Sequence, residues 1–127
     1  MEKNLTTNTD FDAIANFEIL HLGINNVTKE QAEVVASLFS IITGKEVSET
    51  SKSYFCGNEF ELMFNGGRGT HGHIALGVDN VENAVAYLKA KGFTFDENSR
   101  TYNENNQCNF IYMNQEIAGF AIHLKLR

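Results

Sequence analysis

The chain of 127 residues contains no proline, no tryptophan and only two cysteines. Without proline, the turns have to be marked by glycine, and ten glycines are available. Cys56 and Cys108 are too few for a disulfide scaffold, and neither belongs to a CxxC pair of the kind that holds zinc or does redox work, so both read as reduced thiols. Basic charge is scarce as well: ten Lys and Arg against sixteen Asp and Glu leave a net charge of −6, with the cations scattered along the chain. That pattern argues against nucleic acid as a partner, because phosphate binding needs a basic stripe, and leaves a small molecule or a protein. No apolar run is long enough to cross a bilayer, so no membrane partner is expected. The opening stretch MEKNLTTNTDFDAIANF has neither the apolar core nor the small-residue cleavage pattern of an export signal, which predicts a cytoplasmic protein. Length and a 43% apolar content predict a single domain with a real core.

Residues 1–16 are polar, with only Phe11 and Ile14 leading to Phe17 at helical spacing, and read as a loosely docked lead-in. From residue 17 to 25 the chain alternates: Leu20, Leu22 and Ile24 share one face, and Ile19, His21, Gly23 and Asn25 the other, which predicts a strand. Thr28 with Gln31 fits a capping box, Ala32, Val35, Leu38, Phe39 and Ile42 form an apolar helical stripe, and Gly44 stands where a helix stops. Short strands follow, the last with Phe60, Leu62 and Phe64 opposite Glu61 and Met63. After the loop GGRG the same order recurs. HIALGV alternates Ile74, Leu76 and Val78 with His73, Ala75 and Gly77; Asp79 and Glu82 read as an N-cap pair; Val81, Ala84, Val85 and Leu88 form a stripe; and Gly92 closes the helix. Three further strand candidates end in GFAIHLKL. The chain therefore reads as a duplication, α+β in class, with two tandem βαβββ modules at 17–65 and 73–127 forming a curved mixed sheet around a cavity. Each helix can bury its stripe only on a sheet face, so the opposite faces should line the shared concavity.

Four residues fall on that opposite face at matched places in the two repeats: His21 and His73 in the opening strands, and Glu61 and His123 in the closing ones. A lone strand histidine is commonly just a hydrogen-bonded residue of intermediate burial, but matched positions in duplicated modules converge. Three imidazoles and a carboxylate make a first shell for Zn²⁺, Ni²⁺, Mn²⁺ or Fe²⁺; the alternative is a polar cavity without metal. Occupancy of such a shell should fall as pH drops through about 6, because each His must be neutral to bind. His71 forms an HxH pair with His73, as in cupins, yet no Glu follows at the required distance and two capped helices do not suit an all-β jelly roll. The GGRG loop offers Arg68 to an anionic group, or is simply a glycine-rich crossover. Tyr54, Tyr102 and Tyr112 can line a pocket or pack at a sheet edge.

At these residues the chain resembles the vicinal oxygen chelate superfamily, the group of glyoxalase I, methylmalonyl-CoA epimerase, fosfomycin-resistance proteins and extradiol dioxygenases. The segment GHIALGVDNVENAVAYLKAKG is similar to the one opening the second glyoxalase I module, FELMFNGG to the strand ending the first, and GFAIHL stands where the family has Gly-x-x-Ile-Glu-Leu. The resemblance implies that His21, Glu61, His73 and His123 are the metal ligands, with Glu61 and His123 placed to move a proton, and that the protein is a homodimer. EILHLGINN, HGHIALG and EIAGFAIHL are more similar still to the glyoxalase-like C-terminal module of some 2-keto-3-deoxy-6-phosphogluconate aldolases, which implies a link to 2-oxo acid or sugar-acid metabolism. His123 departs from the family's glutamate. Three neutral His and one Glu leave a divalent ion with a net charge of about +1, which suits an anionic chelating substrate such as a 2-oxo or 2-hydroxy acid.

Two functions follow. One is a metal-dependent lyase or isomerase of the glyoxalase type, in which the ion binds two neighbouring substrate oxygens as a Lewis acid. The other is a non-catalytic module that uses the same cavity to bind or sequester a small molecule.

Overall fold

The structure, a computed structural model, describes residues 17–127; the lead-in expected at 1–16, with Phe11 and Ile14, lies outside the described residues. Ten elements follow in order: β1 (Glu18–Asn25), α1 (Lys29–Thr43), β2 (Val47–Glu49), β3 (Ser53–Cys56), β4 (Phe60–Met63), β5 (Gly72–Val78), α2 (Val81–Ala90), β6 (Phe95–Tyr102), β7 (Cys108–Ile117) and β8 (Phe120–Leu126). The strands form one mixed sheet in the order β2-β3-β4-β1-β5-β8-β7-β6. This order is a palindrome. Each half runs strand, helix, three strands, with its first strand parallel to its last, and the halves join where β1 and β5 pair antiparallel. No helix among the described residues is long and apolar enough to cross a membrane.

Both helices lie on one face of the sheet. α1 packs on β3 and β4 through Ala32, Ala36, Cys56, Leu62 and Phe64; α2 covers a larger cluster that includes Val81, Val85, Ile111, Ile122 and Leu124. Strand alternation then sends the residues between these to the opposite face, free of helices. Cys56 and Cys108 are both free thiols and buried.

Capping follows local chemistry, with one correction. Thr28 accepts from the Gln31 backbone N–H at 3.1 Å, while the Gln31 side chain accepts from Val27 N–H at 2.7 Å, and Gly44 ends α1 with φ +72°. In α2 the N-cap is Asn80, not Asp79: its side chain accepts from Asn83 N–H at 2.9 Å, whereas Asp79 pairs with Arg127 at 2.9 Å. Asp79 and Asn80 are both competent caps, and the C-terminal arginine claims the first. The α1 stripe also differs from its expected composition. Ala32, Val35, Ala36 and Phe39 face the sheet, and Leu38 and Ile42 are 54% and 76% exposed. The helix is apolar on two sides, so periodicity alone could not choose which side the sheet would cover.

Candidate metal centre

The four ligand-position residues meet over the middle four strands, and the register explains why. Across the β1/β5 junction Gly23 pairs with His73 and His21 with Ala75; β4 adds Glu61 beside Gly23, and β8 adds His123 beside Ala75. Paired residues project to the same face, so each half contributes a His at one position and a small residue two positions on, His21-x-Gly23 and His73-x-Ala75. The antiparallel junction sets the histidine of each half beside the small residue of the other. At Gly23 this fit is close: a Cβ there would lie 2.0 Å from His73 Cε1.

The polar atoms converge. His21 Nε2 and His73 Nε2 are 3.1 Å apart, and Glu61 Oε1 lies 3.4 Å from the first and 3.1 Å from the second. Candidate donor atoms of His21, His73 and His123 all lie within 4.8 Å of one another. Glu61, His73 and His123 are buried, at 6%, 4% and 3% exposure. Ser53, fully buried on β3, donates to Glu61 Oε2 at 2.7 Å. Phe110 lies 4.4 Å from the His123 ring and Tyr112 meets it edge-on at 5.0 Å.

Protonation follows from these contacts. Burial alone would raise the Glu61 carboxyl, but hydrogen bonds from His21, His73 and Ser53 outweigh it and hold the group well below the usual carboxylate range. Burial, with His73, His21 and Lys125 adding to it, lowers His123 to about 3. The expected loss of metal occupancy through pH 6 therefore does not come from His123, which is already neutral there; its desolvation removes the competing proton.

The donor set fits a divalent ion. Ligand atoms about 2.0–2.1 Å from a tetrahedral ion stand about 3.4 Å apart, close to the spacings among His21, Glu61 and His73. Hydrogen bonding alone satisfies this triangle poorly: if both Nε2 atoms donate to Glu61, two N–H groups face each other at 3.1 Å, and if one does not, the carboxylate loses a donor. A cation resolves the conflict. His123 Nδ1 is moreover buried without a hydrogen-bond partner among the described residues.

The cluster forms the floor of a cavity of about 460 Å³, walled by Phe55, Met63, Phe110 and Tyr112 and reached by Lys52, Arg68 and Lys125. Sequence reading placed the four floor residues and missed Ser53 and the role of Gly23. A serine eight residues before Glu61 carries no recognisable spacing signal, whereas the repeated His-x-small pattern was available to find Gly23. His71 does not join the cluster: it is exposed and lies against Phe120, with ring centroids 6.1 Å apart. Of the three tyrosines, Tyr112 lines the cavity, Tyr54 packs beside Phe64, and Tyr102 is 55% exposed.

No protein-family model and no curated protein matches the chain. Solved structures do. A hypothetical protein from Bacillus halodurans C-125 superposes with a TM-score of 0.58 at 14% identity, over 88% of this chain and 95% of its own. Methylmalonyl-CoA epimerase from Mycobacterium tuberculosis gives 0.57 at 13% identity, over 85% and 86%. The Streptomyces coelicolor methylmalonyl-CoA epimerase in complex with 2-nitronate-propionyl-CoA gives 0.54 at 15% identity, over 86% and 93%. At such identities the likeness is one of fold: the chain shares the α+β architecture of these epimerases, two βαβββ units in one mixed sheet.

Proposed function

We propose that the protein is a metal-dependent lyase or isomerase of the glyoxalase type, acting on a small oxygen-chelating metabolite such as a 2-oxo or 2-hydroxy acid. The observation that carries this reading is the convergence of His21, Glu61, His73 and His123 at the floor of one cavity. His21, Glu61, His73 and His123 would hold a divalent ion, Zn²⁺, Ni²⁺, Mn²⁺ or Fe²⁺, which would supply Lewis acidity toward the substrate. The chain's own residues do the rest. Phe55, Phe110 and Tyr112 limit the water that reaches the reacting atoms, and Ser53 fixes the carboxylate plane of Glu61. Glu61 and His123 are the groups placed to take and return a proton.

The test begins with metal alone. Protein purified without chelator or affinity-tag nickel is expected to take up about one equivalent of one of the four ions, and Glu61→Gln should weaken that binding by more than the about 10–100-fold typical of losing a supporting group. Uptake well under half an equivalent for all four ions sinks the metal reading.

A second reading, a binding or sequestering module, is favoured by one feature of the chain: His123 stands where the family resemblance implies a glutamate, so the second carboxylate of that site is missing. Binding of a 2-oxo acid with no solvent exchange of its α-protons, followed by NMR in D₂O, separates this reading from the first. The link to sugar-acid aldolase metabolism belongs to the proposal under either reading.

The homodimer is proposed on different ground, since all four ligand-position residues come from one chain. The outward face of α1 carries Val34, Leu38, Ile41 and Ile42 at 59%, 54%, 80% and 76% exposure, a stripe that a second copy would remove from water. Light scattering should give a dimer mass for the wild type and a monomer mass for Leu38→Glu/Ile41→Glu; a monomeric wild type overturns this.

A further inference from the structure

Three cations far apart in the sequence come together in space. Of the ten in a chain of net charge −6, Lys52, Arg68 and Lys125 come from three separate segments to one cavity, whose lining includes a single carboxylate, Glu61. Arg68 is held in place: its guanidinium stacks over Tyr112 at 4.3 Å and its Nη1 donates to Asp96 at 2.9 Å, leaving most of its five donors for another partner. Its loop is pinned from below by Asn25, whose Nδ2 donates to Gly67 O at 3.3 Å and Gly69 O at 2.9 Å. Lys125 lies two residues beyond His123 on β8, hence on the cavity face of that strand. Neither Lys52 nor Lys125 has an ion-pair partner among the described residues, as is also true of Lys89 and Lys91 at the end of α2, whereas Lys29, Lys45, Arg68, Arg100 and Arg127 all do.

We propose that the cavity takes a substrate with two anionic ends, a chelating oxo- or hydroxy-carboxylate at the floor and a second carboxylate or phosphate held by Arg68 and Lys125, with Lys52 adding charge at the mouth. The inference rests on the cavity being the ligand site of the proposed function and adds the class of molecule it selects. A single carboxylate on the floor neutralises the +1 left by three His, one Glu and a divalent ion, and leaves Lys52 and Lys125 without a counter-charge beside an Arg68 already paired with Asp96. Tyr112 is in contact with both the Arg68 guanidinium and the His123 ring, so the cationic wall and the floor share one lining residue.

Titration calorimetry at low ionic strength on the metal-loaded protein tests this with pyruvate, 2-oxoglutarate and 3-phosphoglycerate, the last two carrying a second anionic group beside an oxo- or hydroxy-carboxylate. At least one of these two probes is expected to bind about tenfold or more tighter than pyruvate, the scale of one charge-assisted contact. Whichever shows the larger preference identifies the second anion as carboxylate or phosphate. In Arg68→Gln/Lys125→Gln the preference should vanish, the probes with a second anionic group losing more affinity than pyruvate does. Equal binding of all three probes by the wild type, or a preference that survives in the double variant, overturns the inference. Two further titrations keep the readings apart: Zn²⁺ alone reads the metal centre, and inorganic phosphate on the metal-free protein reads the cationic wall. Phosphate binding lost in the double variant supports the wall even where Zn²⁺ fails to bind; Zn²⁺ binding with no dianion preference sinks the wall alone.

Discussion

Gly23→Ala is expected to cost most of the metal affinity while leaving every proposed ligand in the sequence. The added methyl would sit 2.0 Å from His73 Cε1 and 2.2 Å from its Nδ1, so the imidazole must leave its place against β1. Gly23 has no positive φ, which makes the effect one of space and not of backbone strain. His73 is 4% exposed and touches both His21 and Glu61, so moving it breaks the donor triangle from the inside. Overpacking of this kind costs about 1–3 kcal/mol, and a misplaced ligand should weaken metal binding by about 100-fold or more. The equivalent position in the other half already carries a methyl, Ala75, paired with both His21 and His123. Ala75→Gly should therefore change metal affinity little, and the pair of variants separates crowding of His73 from a general intolerance of change. Wild-type metal affinity in Gly23→Ala, measured by competition with a chromogenic chelator, would refute this account of the site.

Acid should unfold the metal-free protein earlier than its carboxylates alone require. His123 is buried and held at about 3 in the folded chain, against about 6.5 for an exposed imidazole. The unfolded chain thus takes up a proton on this ring near pH 6.5, while the folded chain refuses it until about pH 3. The stabilisation is full above pH 6.5 and drains away as pH falls between those values, at up to about 1.4 kcal/mol per pH unit. Glu61, lowered by its hydrogen bonds, adds a loss of the same sign at more acid pH, below its unfolded value near 4.5. Urea midpoints at pH 7.5, 6 and 5 should fall steadily for the metal-free wild type. His123→Gln should remove its share of that slope while lowering stability at neutral pH. An identical slope in the variant would show that the ring is solvated in solution.

Local pattern carried much of the architecture. Alternation in EILHLGIN and GHIALGV predicted β1 and β5, and put His21 and His73 on the face opposite Leu22, Ile24, Ile74 and Leu76, where the structure has them; it erred at Ile19, because a bulge between Ile19 and His21 pairs Ile19 with Leu76 and takes it off the His21 face. Helical spacing with a threonine cap and a glycine stop predicted α1. The same signals erred where two local solutions were equally good, as with Asp79 against Asn80 and with the two apolar sides of α1.

Past the bulge at Leu20, the sequence by itself determined which residues share a strand face, because pleating and helical pitch are properties of the backbone a few residues at a time. It therefore named His21, Glu61, His73 and His123 as a set. Only the tertiary structure decided how close they come, since the register of β1 against β4 and β5 is fixed by pairings roughly forty to sixty residues apart in the chain. It alone placed Ser53 on Glu61, set His71 aside, and turned three scattered cations into one wall. It also decided that His123 is neutral. Desolvation and approach distance are sums over everything packed around a group, and no window of sequence contains that sum.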